Sequence, residues 1–322
     1  MKGNTNNMDH RDRRLILVAI GILMLLVGIV SAFFGPAEMY SFYLFSEGGR
    51  FHYEGFGFGS FMFGNIATQI IGYYLIAIVL IPLGYGHLRI RRWARALSLT
   101  LLGFWLVAGV PLIVVFSFML FSVKELSMAA VLIVLISLVL SYTVIPGLLI
   151  WFYRSRDVRL TFESRDPESY WIEALPLPVL VLGSLFALCA IALHILIFFN
   201  GIIPFLGLWL NGLQGILLID ILIMSLVGLI WGTFRLKTWA WYGSLVYFAL
   251  MTLSSILTLS RSSFLDILSA MNLPEFEREL MQGVPLQGFH FAVLIGVPLL
   301  ITLGLIVYSK RYFRADYPLP SP

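Results

Sequence analysis

The amino-acid sequence predicts an all-α integral membrane protein of about eight transmembrane helices, arranged as two parallel four-helix repeats. Three observations carry this. Apolar runs long enough to cross a bilayer, about 20 residues each, recur along the whole 322-residue chain, of which 60% is hydrophobic and only 12% charged. The basic residues fall mostly in alternate connecting segments. One half of the chain echoes the other at a fixed spacing. A β-barrel would instead show alternating segments of about ten residues.

The spans are read at 15–34, 61–84, 94–119, 128–152, 175–199, 213–233, 239–260 and 290–309. A basic leader, an apolar stretch and VSA at 30–32 also fit a cleavable signal peptide. The apolar stretch is long for that, and the internal repeat needs this helix. The run IIPFLGLWL (202–210) is apolar but too short to cross, and reads as a dipping segment or an extension of the sixth span.

Orientation follows from Lys and Arg. Only Arg50, Lys124, Arg261 and Arg278 fall in one set of alternate segments; the remaining basic residues, from Lys2 to Arg314, fall in the other. This bias puts both termini in the cytoplasm, in a plasma (inner) membrane, and requires an even number of spans. The net charge of +4 is thus explained by topology and implies no nucleic-acid partner. The lipid bilayer is the expected environment, with a homo-oligomer or other membrane proteins as candidate partners. The single cysteine, Cys189, excludes an intrachain disulfide and reads as a small buried hydrophobe.

The repeat is carried by GHLRIRRWARALSL (86–99) and GTFRLKTWAWYGSL (232–245), which align without gaps at an offset of 146. YRSRDVR (153–159) echoes YSKRYFR (308–314). The expected organisation is a tail at 1–14, a first repeat at 15–160, a linker at 161–174, a second repeat at 175–314 and a tail at 315–322. In each copy of the motif, basic residues (Arg89 and Arg91; Arg235 and Lys237) close one helix and complement its dipole. The following tryptophan, Trp93 or Trp239, suits headgroup level. A helix–turn–helix anchor is the plain meaning, with a cytoplasmic docking or lipid-binding site as the alternative. The stretch LRIRRWARALSL, with WFYRSRDVRLTFE (151–163), resembles a pattern in uncharacterised bacterial multi-pass membrane proteins. The resemblance covers helix ends only and implies no activity.

Asp220 is the one acidic residue inside a span and is the leading functional candidate, because intramembrane carboxylates are costly and usually partnered. His194, on the preceding span at similar depth, is its expected partner in a protonation-sensitive pair; an interhelical hydrogen bond is the plainer alternative. Asn65 and Gln69 share a face of span two, and Asn211 opens span six. With Asp220 and His194 they would line an outward-facing polar vestibule, or else act as interhelical glue.

Two longer loops remain. Residues 35–60 run into GRFHYEGFGFGSFMFGN (49–65), where alternating Phe and Gly at 56–59 predict an extended piece packed at the interface. Glu38, Glu47, Glu54 and His52 lie here without dense metal-ligand spacing, so no metal site is expected. Residues 261–289 predict one or two short helices, the second opening at Pro274 and ending before Gly283, as an amphipathic surface cap.

No phosphate-binding loop, H-E-x-x-H, C-x-x-C or G-x-S-x-G occurs, and no loop is long enough to form a nucleotide-binding domain. No catalytic residue or cofactor is assigned. The expected function is a non-enzymatic assembly, regulatory or envelope component. A small-molecule transporter or channel using Asp220 and His194 is the alternative, and an intramembrane lipid enzyme trails both.

Overall fold

A computed structural model describes residues 11–122, 127–271, 273–282 and 288–313. The tails beyond these, with Lys2 and Arg314, and also Lys124, lie outside the described residues. The described residues form a bundle of α-helices, among them eight stretches long and apolar enough to cross a membrane. These are α1 (Arg14–Phe45), α2 (Phe61–Leu88), α3 (Arg92–Ser122), a fourth made of α4 (Met128–Val139) and α5 (Ile145–Arg154), α8 (Leu177–Phe198), α9 (Gly212–Phe234), α10 (Thr238–Arg261) and α13 (Gly288–Ser309). Short helices complete the set: α6 (Arg156–Arg165), α7 (Trp171–Ala174), α11 (Phe264–Met271) and α12 (Glu275–Gln282). Helix α6 runs across the expected boundary at 160 between first repeat and linker.

Helix α1 lies along α2. Its buried stripe is Leu17, Gly21, Gly28, Ser31 and Gly35. A Cβ on Gly21 would stand 3.0 Å from the carbonyl oxygen of Gly84, and one on Gly84 only 2.7 Å from that of Gly21. The two backbones touch because neither residue has a side chain, the usual route to tight helix pairing in lipid. This contact also corrects an expectation. The loop predicted from residue 35 is helical to Phe45, carried past Pro36 by the packing of Gly35 on the Tyr74 ring.

The fourth stretch contains one π-turn at Leu140–Val144, separated from Pro146 by Ile145 alone. Proline lacks an N–H, and the π-turn absorbs the lost helical bond. The same turn brings the Tyr142 backbone against Gly109 of α3, where a Cβ would come within 3.0 Å of the Tyr142 carbonyl.

The α2–α3 and α9–α10 turns match residue by residue. Arg91 N–H donates to Gly86 O (2.8 Å) and Lys237 N–H to Gly232 O (2.9 Å). Ile90 N–H donates to His87 O (3.1 Å) and Leu236 N–H to Thr233 O (3.0 Å). Ile90 and Leu236 both sit in the left-handed region, at φ 50° and 51°, where a helix C-terminus normally takes glycine. Burial of Ile90 in the core around Tyr153 and Phe162 holds it there.

Residues 202–210 are not part of the sixth span, which begins at Gly212. They form a hairpin, β1 (Ile203–Phe205) with β2 (Leu208–Leu210), in register Ile203↔Leu210 and Phe205↔Leu208. Leu206 and Gly207 both have positive φ, which matches the right-handed twist of a two-residue hairpin. The turn amides bond to α10: Leu206 N–H to Ser254 Oγ and Gly207 N–H to Thr258 Oγ1, each 2.8 Å. Trp209 Nε1 donates to Ser262 Oγ at 2.9 Å. Hydroxyls spaced four apart on one helix face thus replace water for a backbone that no helix satisfies.

Two main cores result. One, around Leu17, Leu83, Tyr153 and Phe162, joins α1, α2, α3, α5 and α6. The other, around Phe186, Ile219, Leu226 and Phe248, joins α8, α9, α10 and α13. Helix α3 also packs on α8 and α13, and α2 packs on α8, so these contacts knit the two cores into one body.

Candidate functional site

Asp220 lies on α9 eight residues past Gly212, about 12 Å along the helix. It is exposed, and among the described residues no hydrogen bond or ion pair reaches it. His194 is also exposed, on α8, and its Nδ1–H donates to Ala190 O of its own helix at 2.8 Å. The expected pair is therefore not formed within the chain. Asn65 and Gln69 are exposed on α2, and Asn211 donates from Nδ2 to Ala270 O at 2.7 Å. No hydrogen bond joins any two of the five. The physical reason is helix rotation. Each residue turns the helix by 100°, so similar depth does not mean facing sides.

The anchor residues behave unequally. Arg91 pairs with Asp166 at 3.2 Å, while Arg89 lies over the Tyr85 ring at 5.8 Å and Arg235 over Trp231 at 4.7 Å. Trp93 packs on Gly86 and Trp239 on Gly232, and Trp239 remains half exposed. Lys237 begins α10 with no side-chain cap.

Among the buried side chains that escaped the sequence reading are one histidine and two carboxyls. His87 is fully buried near the end of α2. Its Nδ1 contacts Leu83 O at 2.8 Å; a carbonyl can only accept, so Nδ1 carries the hydrogen. Nε2 then accepts from the Tyr153 hydroxyl at 2.7 Å, tying α2 to α5. Asp166 is fully buried beneath the start of α3, accepting from Arg92 N–H (3.0 Å) and Arg91 Nη1 (3.2 Å). Burial alone would raise its pKa. The Arg92 amide, the Tyr170 hydroxyl and the Arg91 guanidinium outweigh that and hold the carboxyl below its usual value. Glu277 of α12 is the far-end counterpart. Its carboxylate accepts from Phe61 N–H (2.7 Å), Met62 N–H (3.0 Å) and the Tyr53 hydroxyl (3.0 Å). Burial and the Glu277 charge push the Tyr53 hydroxyl up to about 12. Both carboxylates thus meet the open amides and positive pole of a helix N-terminus.

Glu277 also decides the aromatic loop. Residues 56–59 form a bend and a turn rather than the extended piece expected. The rings pack on one another, Phe42 on Phe63 at 4.9 Å, Phe58 on Phe198 at 6.5 Å and Tyr53 on Phe276 at 5.7 Å, while Phe58 stays more than half exposed. The two short helices expected in 261–289 are present as α11 and α12. Helix α12 is more than a surface cap, because Glu277 plugs into the start of α2.

Two apolar cavities flank strand β1, of about 230 and 270 Å³. Both are walled by Ile203, Pro204, Tyr247 and Met251, and Cys189 lines the larger. Neither is lined by an acidic, basic or histidine side chain. No cluster of three or more metal-ligating side chains occurs among the described residues. No protein-family model, curated protein or solved structure matches this chain.

Proposed function

We propose that this chain is a non-enzymatic component of the plasma (inner) membrane, an assembly, regulatory or envelope protein that works through helix contacts within the bilayer. Asp220 carries the reading: an exposed carboxylate well inside a span, with no partner among the described residues. On insertion scales such a group costs about 2.5–3.5 kcal/mol at the bilayer centre. Contact with another membrane protein would offset that cost. The fourth span points the same way: 6% of its most apolar window is buried within the chain, against 39% for the spans of α8 and α10. The basic bias toward the terminal end supports cytoplasmic termini.

A small-molecule transporter or channel is the second reading. The two apolar cavities favour it, being near the small end of ligand-sized pockets. It has less support because Asp220 and His194 line neither cavity.

The test is extraction of the chain from its membrane into polymer-bounded discs without detergent. The expected result is a particle heavier than one 36.3 kDa chain, reduced to the single chain by Asp220→Ala at unchanged melting temperature. A monomeric wild-type chain, or an Asp220→Asn variant that loses solute uptake while its particle mass is unchanged, would overturn the assembly reading.

A further inference from the structure

We infer that α9 is the contact helix of a two-fold homodimer, in which Asp220 of each copy meets His194 of the other; this deepens the assembly reading and rests on it. The exposed face of α9 runs Leu213, Leu217, Asp220, Met224, Val227, Trp231. The steps are four, three, four, three, four, the heptad spacing of a helix seam. The five apolar members are each more than half exposed, while Gly215, Ile219, Ile223, Leu226 and Leu229 are buried on the opposite side. The same step pattern on α1, from Leu17 through Gly21, Met24, Gly28 and Ser31 to Gly35, is the stripe that packs against α2. In this chain, then, the pattern is already used once to seat a helix, and on α9 no helix among the described residues covers it.

Chemistry selects a second copy as the occupant. Asp220 interrupts the apolar seam with a group that demands a donor or a cation. His194 stands exposed on the neighbouring helix, with Nδ1–H committed to Ala190 O and Nε2 left as an acceptor. The two groups complement each other but are not joined within the chain. Two copies inserted in the same orientation pack α9 against α9 in parallel. A two-fold contact is self-complementary, so it makes the Asp220–His194 pair twice. One proton shared between carboxylate and Nε2 leaves neither group unsatisfied.

Cysteine cross-linking in native membranes tests this, in a Cys189→Ser background that removes the one native thiol. Leu217→Cys and Met224→Cys should form disulfide dimers, whereas Leu250→Cys, exposed on α10, should not. Asp220→Ala and His194→Ala should each lower the Met224→Cys dimer yield about three- to thirty-fold, the range of an interhelical polar contact. The exchange Asp220→His with His194→Asp should restore it. Equal yields at Met224 and Leu250, or no rescue by the exchange, overturn the homodimer. A photoreactive side chain at 224 separates the two readings. An adduct with a different protein overturns the homodimer and leaves the assembly reading standing, whereas no adduct at all overturns both.

Discussion

Asp166 and Glu277 sit at opposite ends of the bundle and do the same work on different helices. Each brings a carboxylate to a helix start whose own sequence supplies none: α2 and α3 have no acidic residue in their first turns. Neither was legible in the sequence, because the partners are remote. Asp166 lies 74 residues from Arg92, and Glu277 lies 216 from Phe61. A local capping pattern is readable; a cap delivered by the fold is not. A pH dependence follows from Asp166. Its folded pKa is depressed, so its contribution to stability is fully present above the unfolded value of about 3.9. That contribution is lost as pH falls through the folded value. Melting of the purified protein from pH 6 downward should therefore steepen in its fall below about pH 4. Asp166→Asn should start from a lower melting temperature and flatten that part of the curve. A variant curve parallel to wild type would refute the assignment.

At the scale of elements, length and apolarity located the eight spans, because a bilayer fixes how long an apolar helix must be. They did not locate how far α1 extends, since Pro36 and the polar residues after it imitate a loop. Close packing against α2 overrides them. The hairpin at 203–210 was hidden for a different reason. Its turn is Leu206-Gly207 rather than the Asn-Gly or Asp-Gly pair that announces such turns, and its backbone is stabilised by hydroxyls 48 and 51 residues away. Thr258→Val removes the acceptor for Gly207 N–H while keeping the side-chain shape. It should destabilise the protein by about 0.5–1.5 kcal/mol, the net worth of one intramolecular hydrogen bond. Hydrogen exchange at Gly207 should accelerate well beyond that at the helix amides of α10. Unchanged exchange at Gly207 would mean that the hairpin is held by its apolar contacts alone.

At the scale of the whole molecule, one end of the bundle gathers charge and the other gathers aromatic rings. The terminal end holds the ion pairs Arg13–Asp157, Arg91–Asp166, Arg92–Glu173 and Arg159–Glu163. The far end holds the rings of Phe42, Tyr53, Phe58 and Phe63 and the hairpin. Single cysteines in the Cys189→Ser background would read the orientation directly. Ser155→Cys should be protected from a membrane-impermeant thiol reagent in intact cells, and Gly48→Cys labelled. The reverse pattern would invert the orientation drawn from the basic residues.

The sequence by itself determined the membrane class, the number of spans and the recurrence of one turn motif. Each of these depends on local composition or on spacing along the chain. Only the tertiary structure decided which faces of the helices look inward. A rotation of 100° per residue separates a buried partner from a lipid-facing one, and nothing in span length records that angle. That is why Asp220 and His194 could be placed at similar depth from sequence and yet remain unjoined, while His87, which drew no notice in the sequence, lies fully buried against Tyr153.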